Sequence, residues 1–170
     1  MIHGNQRFPF VTNGGGRGMK LAEALILRSD LQKRIEQLKV RLSRNVKVQE
    51  GDTPAEDPAE ILEELDQALT QLESIIRKIN RTNVNTPFDD EMTLSDALAK
   101  REVLWKRRDI LSEAVSWASI KQDRFSKSEI KFFSTINVSQ VQKEVDRLSK
   151  AYRELDTRIQ ELNWKTELME

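Results

Sequence analysis

The sequence predicts an all-α protein, an antiparallel up-and-down helical bundle or coiled coil of about four long helices. Apolar residues recur at alternating spacings of three and four over most of the chain, which places them on one stripe of a helix that a facing helix must bury. Charged residues make up 33% of the 170 residues, while glycine (6) and proline (4) are scarce. That composition is typical of long helices with solvated outer faces.

Residues 1–18 differ from the rest of the chain. They hold most of the glycines and the only histidine, His3, and they show no helical periodicity. We therefore expect a disordered, vector-derived leader, with Met19 as the natural start and residues 19–170 as a single helical-bundle domain. The alternative is a natural flexible arm that docks Phe8, Phe10 and Val11 on a partner.

The first two helices are predicted at about Lys20 to Lys47 and from Pro58 to about Thr82. A polar, acidic connection separates them, and Asp57 followed by Pro58 is a strong signal for a helix start. The stripe of the first helix consists of Leu21, Ala24, Leu31, Ile35, Leu38 and Leu42, with Leu27 beside it. The stripe of the second consists of Leu62, Leu65, Leu69, Leu72, Ile76 and Ile79.

The third helix should run from the capping residue Thr93 to about Ile120, and the last from the capping residue Asn137 to about Lys165. The stripe of the last helix consists of Val138, Val141, Val145, Leu148, Tyr152, Leu155, Ile159 and Leu162. Connections of roughly ten residues favour antiparallel neighbours.

A short extended segment is predicted at residues 129–136, just before the last helix, because these residues are rich in β-formers. A lone strand leaves backbone groups unpaired, so it would need a partner such as its own copy in a second subunit. The alternative is an ordered apolar loop that caps one end of the bundle. The candidate oligomer contacts are Ile130, Phe132, Phe133 and Ile136.

Three arginines occupy positions within the apolar stripes that form the seams between helices. They are Arg28 in the first helix and Arg101 and Arg108 in the third. A buried, unpaired guanidinium costs several kcal/mol, so each needs an acceptor. Three interpretations stay open: interhelical pairs with acids that set register or oligomer state, side chains that reach out to water, and convergence on an anionic ligand.

The end of the second helix carries a further cluster of polar residues, Asn80, Arg81, Thr82 and Asn83. These can serve as a C-cap, with Asn83 in a left-handed conformation, or contribute to a polar site shared with Arg124. The candidate polar or anion site therefore comprises Arg28, Arg101, Arg108, Asn80, Arg81, Asn83 and Arg124.

The charges are balanced overall but segregated by helix. Lys+Arg and Asp+Glu are both 28, so the net charge gives no argument for a nucleic-acid or anionic-membrane partner. The first helix is basic, whereas residues 48–76 contain no lysine or arginine. Charge complementarity within a helical hairpin explains this pattern, and an anion-binding face on the first helix is the alternative.

The sequence offers little for catalysis. Cysteine is absent and the single histidine lies in the leader, so Ser–His and Cys–His constellations cannot be built. There is no glycine-rich phosphate loop and no metal-ligand spacing, and the acidic run at residues 89–91 is more consistent with a solvated loop. We therefore expect no enzyme activity, no cofactor, no metal and no small-molecule substrate. No apolar run is long enough for a membrane span, and the lack of cysteine fits a cytoplasmic protein.

Several segments resemble the septicolysin-like family of bacterial proteins. They are the start MKLAEAL at residues 19–25 with Arg28, Asp30, Leu31 and Gln32 after it, the stretch INRTN at 79–83, the stretch at 122–131 that begins QDRFS and ends SEIK, and the ending at 154–164 that includes Asn163 and Trp164. The resemblance covers Met19 to the C-terminus, and the family's name implies a pore-forming cytolysin. It supplies no mechanistic residues.

The sequence thus predicts a non-enzymatic protein that assembles into a homo-oligomer. Continuous heptads, polar interruptions that could set register and a lone extended segment all favour this function. Two alternatives remain: a pore-forming, membrane-active protein, and a binder of anions or nucleic acid that uses the seam arginines and the basic first helix.

Overall fold

The chain folds into long antiparallel helices. The computed structural model describes residues 18–119 and 132–170, and of the expected leader only Gly18 lies within them. The helices are α1 (Leu21–Asn45), α2 (Pro58–Asn85), α3 (Leu94–Ala118) and α4 (Val138–Lys165). The prediction of an all-α helical bundle is confirmed.

Local capping accounts for where the helices begin. The Asp57 carboxylate accepts a hydrogen bond from the Ala59 N–H at 2.8 Å, and the Asn137 amide oxygen accepts from the Gln140 N–H at 3.0 Å. Thr93 and Asp96 cap each other reciprocally at the start of α3. These bonds satisfy N–H groups that have no partner within the helix.

The helices form two hairpins, α1–α2 and α3–α4, which meet at one end only. At this shared end the start of α1, the end of α2, the start of α3 and the end of α4 surround one core. The buried members of that core are Leu21, Ala24, Leu31, Ile75, Ile79, Leu94, Ala97, Leu155 and Ile159. Each large apolar side chain buried there contributes about 1.5–3 kcal/mol relative to exposure.

Backbone hydrogen bonds close the shared end. The Leu21 N–H donates to the Thr166 carbonyl at 2.9 Å, and the Leu168 N–H donates to the Met19 carbonyl at 2.8 Å. The hydroxyl of Thr82, which is fully buried, accepts from the Met169 N–H at 2.9 Å. The residues after α4 are therefore tied to both α1 and α2.

The hairpins differ in how well they bury their own seams. The distal part of the α1–α2 hairpin has a second core of Ile35, Leu38, Ile61 and Ala68. In the distal part of the α3–α4 hairpin, Val145 and Leu148 of α4 are buried, but no residue of α3 beyond Ala97 is buried among the described residues. The α3 helix thus lacks a complete covering.

Three details of the sequence prediction are wrong. Leu62 and Leu69 are 52% and 46% exposed, and Ile61 and Ala68, one residue earlier, face α1 instead. The α2 helix continues past Thr82 to Asn85, so Asn83 lies within the helix and is not its C-cap; the Thr86 N–H closes the end on the Thr82 carbonyl. Residues 132–136, the described part of the expected extended segment, contain no strand.

Candidate functional site

A second apolar stripe runs along α3, separate from the seam that faces α4. Val103, Ile110 and Trp117 recur every seven residues and are 56%, 61% and 65% exposed. At 3.6 residues per turn, they lie about 100° around the helix from Leu104 and Leu111, which are half-buried in the seam. We call Val103, Ile110 and Trp117 the outer stripe.

The outer stripe distinguishes α3 from the other helices. A helix that packs against a single neighbour carries one apolar face, whereas α3 carries apolar residues on two faces. Helix α2 also exposes two leucines seven residues apart, Leu62 and Leu69, but its opposite face is well buried by α1. On α3 both faces are incompletely covered, so it is the helix with most to gain from a further partner.

Charged residues of both signs flank the outer stripe, and Arg107 and Glu113 lie on opposite sides of it. Lys106 and Arg107 lie between Val103 and Ile110, and Glu113 lies between Ile110 and Trp117. Lys106 is 2.8 Å from Glu102 of the same helix. Arg107 and Glu113 are exposed, and within the described residues neither takes part in an ion pair.

Arg107 lies on the side of the stripe that is nearer to α4. The pKa of the Glu144 carboxyl on α4 is lowered chiefly by its hydrogen bond from Arg147, and the positive charge of Arg107 adds a smaller effect. Glu144 accepts from Arg147 at 2.6 and 2.7 Å, so it is already well paired.

The seam arginines of α3 have partners within the chain. The Arg101 guanidinium donates to Asp156 of α4 at 2.6 Å, and both side chains are about two thirds buried. The Arg108 guanidinium lies 5.0 Å from the Trp105 ring and 3.5 Å from Asp109. Trp105 in turn contacts Tyr152 of α4, with ring centroids 5.2 Å apart. Arg101 therefore matches the interhelical-pair interpretation.

The remaining members of the predicted polar site lie elsewhere. Arg28 is half-buried on α1 and has no ion pair among the described residues. Asn80 is exposed and Asn83 half-buried on α2, and Arg124 lies outside the described residues. Arg81 donates to the backbone carbonyl of Glu170. The contacts thus give Arg101, Arg108 and Arg81 three different sets of neighbours.

Arg81 lines a basic groove that the sequence reasoning missed. The groove has a volume of about 310 Å³, and Arg77 and Lys78 contribute further positive charge. The ammonium of Lys78 binds the side-chain carboxylate of Glu170 there. The spacing of Arg77, Lys78 and Arg81 on one helical face was the available signal. The full lining is Thr70, Glu73, Ser74, Arg77, Lys78, Arg81 and Glu170.

The candidate oligomer contacts lie at the distal tip of the α3–α4 hairpin. Phe132 and Phe133 are each 82% exposed, and Ile136 is 38% exposed. Ile130 lies outside the described residues. The exposed phenylalanines lie at the same end of the hairpin as Trp117.

Two kinds of site are absent from residues 18–119 and 132–170. In this part of the chain no three His, Asp or Glu side chains are grouped so that they could hold a metal ion. No helix there has the length and the apolar character needed to cross a membrane.

Comparison with known proteins identifies a family and a solved structure of similar fold. The model of a family of unknown function, DUF6847, matches residues 28–168. The crystal structure of a functionally unknown conserved protein from Corynebacterium diphtheriae is similar at 46% sequence identity and a TM-score of 0.85, covering 90% of this chain and 100% of that one. No curated protein matches the chain.

These findings correct the resemblance drawn from short segments. The septicolysin-like assignment is wrong, because the family match over residues 28–168 is to DUF6847 and the related structure carries no such description. Short helical segments rich in Leu, Arg, Asp and Gln recur in unrelated coiled coils, so they discriminate families poorly. The pore-forming alternative rested on that resemblance and is dropped with it.

Proposed function

The chain belongs to DUF6847, a family of unknown function, and we propose that it is a non-enzymatic protein that assembles with copies of itself through the outer stripe of α3. The observation that carries the proposal is the exposure of Val103, Ile110 and Trp117 at intervals of seven residues. Such a line of large apolar side chains is the pattern that a facing helix buries.

Incomplete packing of the α3–α4 hairpin supports the same function. Because no α3 residue beyond Ala97 is buried among the described ones, a second copy would cover α3 surface that residues 18–119 and 132–170 leave open. Tryptophan is among the residues that contribute most to interfaces, and Trp117 is the most exposed member of the stripe. Phe132 and Phe133 would add to the interface from the tip of the hairpin.

The non-enzymatic part of the proposal rests on chemistry. The chain has no cysteine and one histidine, so the usual nucleophile–base pairs are missing. The ion pair of Arg101 with Asp156 joins the two helices of the α3–α4 hairpin, and the hollow that Arg101 lines with Trp105 and Tyr152 is open to solvent. We also place the protein in the cytoplasm, which the lack of cysteine supports and cell fractionation would test.

A matched pair of lysine variants tests the assembly. Ile110→Lys places a charge in the centre of the outer stripe, and Ile26→Lys makes the same change at a residue of α1 that is 53% exposed. We expect sedimentation velocity to show loss of the oligomer for Ile110→Lys only, with unchanged helical circular dichroism for both. Equal behaviour of the two variants, or a wild-type chain that is monomeric at micromolar concentration, would contradict the proposal.

Anion binding at the basic groove is a second candidate function. The contact of Lys78 with the Glu170 carboxylate favours it, because the groove holds a carboxylate between cations. Inorganic phosphate and a single-stranded oligonucleotide are suitable probes, since phosphate contacts strengthen as salt falls. Arg77→Gln should weaken such binding. Absence of binding by the wild-type chain at low salt would remove this candidate.

A further inference from the structure

We infer that the basic groove of α2 binds a phosphate dianion and that Glu170 competes with this ligand from within the chain. The inference rests on the anion binding proposed for the groove, and it adds the class of ligand and the contact that limits binding. It follows from the way in which the residues after α4 hold Glu170 against the groove.

The groove presents several donors on one face of α2. Arg81 lies four residues after Arg77 and three after Lys78, so both cations are its neighbours on the helix surface. The side chains of Thr70 and Ser74 line the same groove and add hydroxyl groups. Guanidinium, ammonium and hydroxyl groups are the donors that bind phosphate oxygens in proteins.

Glu170 occupies two of the three cations. The ammonium of Lys78 binds the side-chain carboxylate of Glu170, and the Arg81 guanidinium donates to the backbone carbonyl of the same residue. Oxygen atoms of Glu170 therefore take up donors that an anion from solution would use. Binding of that anion at Lys78 and Arg81 requires Glu170 to leave.

Backbone hydrogen bonds hold Glu170 beside the groove. The Leu168 N–H donates to the Met19 carbonyl at 2.8 Å, and the Met169 N–H donates to the Thr82 hydroxyl at 2.9 Å. Thr82 directly follows the last cation of the groove along α2. A group tethered in this way acts at a high effective concentration, so Glu170 competes with a ligand from solution.

The contact is weak enough to be displaced. The Glu170 side chain is 88% exposed, and ion pairs of exposed groups contribute little to stability. The hydrogen bonds of Leu168 and Met169 do not involve the Glu170 carboxylate, so they persist when it leaves. The apparent affinity for a ligand is lowered in proportion to the fraction of chains in which the groove is open.

The charges of the groove favour a dianion. The lining contains the cations Arg77, Lys78 and Arg81 and the acids Glu73 and Glu170. When Glu170 leaves, the excess of positive charge in the lining rises from one to two. A phosphate dianion neutralises that excess, whereas a single carboxylate neutralises half of it. Glu73 lies 3.8 Å from Arg77, and both side chains are more than 70% exposed, so this pair is also weak.

A matched pair of acid-to-amide variants tests the competition. Glu170→Gln removes the carboxylate from the groove, whereas Glu167→Gln removes an exposed carboxylate that lies 3.4 Å from Lys20, outside the groove. Both variants change the net charge equally. NMR titration with inorganic phosphate at low salt and about pH 8, where phosphate is a dianion, would measure the affinities. We expect Glu170→Gln to bind phosphate about two- to fivefold more tightly than the wild type, the effect of one exposed ion pair, and Glu167→Gln to match the wild type.

A third variant and a second probe sharpen the test. Lys78→Gln removes the cation that holds the Glu170 carboxylate, so Glu170→Gln should strengthen phosphate binding less in that background than in the wild type. Glycerol phosphate, titrated in parallel, distinguishes a phosphate group on a larger molecule from the free ion. Glu170→Gln should strengthen the binding of both probes.

The outcomes separate this inference from the anion binding on which it rests. No phosphate binding by the wild type at low salt would overturn both. Wild-type binding that Glu170→Gln leaves unchanged, or that Glu170→Gln and Glu167→Gln strengthen equally, would overturn the competition and leave the groove as an anion site. A gain confined to Glu170→Gln, smaller in the Lys78→Gln background and reduced by added salt, would support the inference.

Discussion

Arg101 on α3 and Asp156 on α4 are joined by a hydrogen-bonded ion pair of 2.6 Å at the entrance to the shared end. The pair lies between two antiparallel helices that are 55 residues apart in sequence at this point. The pair therefore connects α3, which carries the outer stripe, to α4, against which α3 packs. We expect the pair to align α3 on α4.

Breaking this ion pair should lower the free energy of unfolding more than breaking a fully exposed ion pair would. A double-mutant cycle on Arg101→Ala and Asp156→Ala should give a coupling of about 0.5–1 kcal/mol, because the partly buried charges are less screened than at an open surface. Urea unfolding would measure it. The cycle of Arg108→Ala with Asp156→Ala is the control and should give a coupling near zero, since Arg108 contacts Trp105 and Asp109 instead. Equal couplings would contradict the alignment role.

The corrected register of α2 predicts a large difference between neighbouring residues. Ile61 is 1% exposed and Leu62 is 52% exposed. Ile61→Ala should lower the free energy of unfolding by about 2–4 kcal/mol, because it leaves a cavity in the second core. Leu62→Ala should cost less than about 1 kcal/mol. Thermal or urea unfolding of the two variants would measure these losses. A larger loss for Leu62→Ala than for Ile61→Ala would mean that the stripe expected from sequence is the buried one.

The buried hydroxyl of Thr82 should matter for the attachment of the residues after α4. Thr82→Val keeps the shape of the side chain but removes the acceptor of the Met169 N–H and the donor to the Lys78 carbonyl. We expect a loss of about 1–2 kcal/mol in unfolding free energy, since a part-buried N–H is left without its partner. Thr70→Val, at an exposed position of the same helix, is the control and should change little.

The stability that the connection between α1 and α2 contributes should fall at low pH. Hydrogen bonding from Arg41 lowers the pKa of the Glu56 carboxyl below its ordinary value of 4.5. A carboxyl whose pKa is lowered in the folded state stabilises fully above its unfolded pKa, and the stabilisation is lost as the pH falls through the folded value. The melting temperature of the wild type should therefore exceed that of Glu56→Gln at pH 7.

The same comparison at low pH provides the check. As the pH falls through the lowered pKa of Glu56, the difference in melting temperature between the wild type and Glu56→Gln should shrink, because the carboxyl takes up its proton. A constant gap between the wild type and Glu56→Gln at all pH values would mean that the pair with Arg41 is not the cause.

Helix starts could be predicted from sequence because their signals are local. Asp57 before Pro58, Thr93 with Asp96, and Asn137 with Gln140 all form the caps that their residue types indicated. The choice of buried face on α2 could not be predicted as reliably. Ile61 and Leu62 are adjacent and both apolar, and the small Ala68 faces α1, so hydrophobicity alone favours the wrong stripe.

The site was only partly predictable for a similar reason. A seam position for Arg101 indicates that it needs an acceptor, but the choice of Asp156 depends on how α3 and α4 align along their whole length. The outer stripe was visible in the sequence as Val103, Ile110 and Trp117. It is recognised as a surface only when the structure shows that α4 covers a different face.

The mass of the chain in solution tests the central claim most directly. Static light scattering on the chain from Met19 onward, across micromolar concentrations and a range of salt, should give a discrete oligomer that is weakened but not abolished by salt, because an apolar stripe would supply most of the binding. A single species at the mass of one chain over the whole range would contradict assembly through the outer stripe.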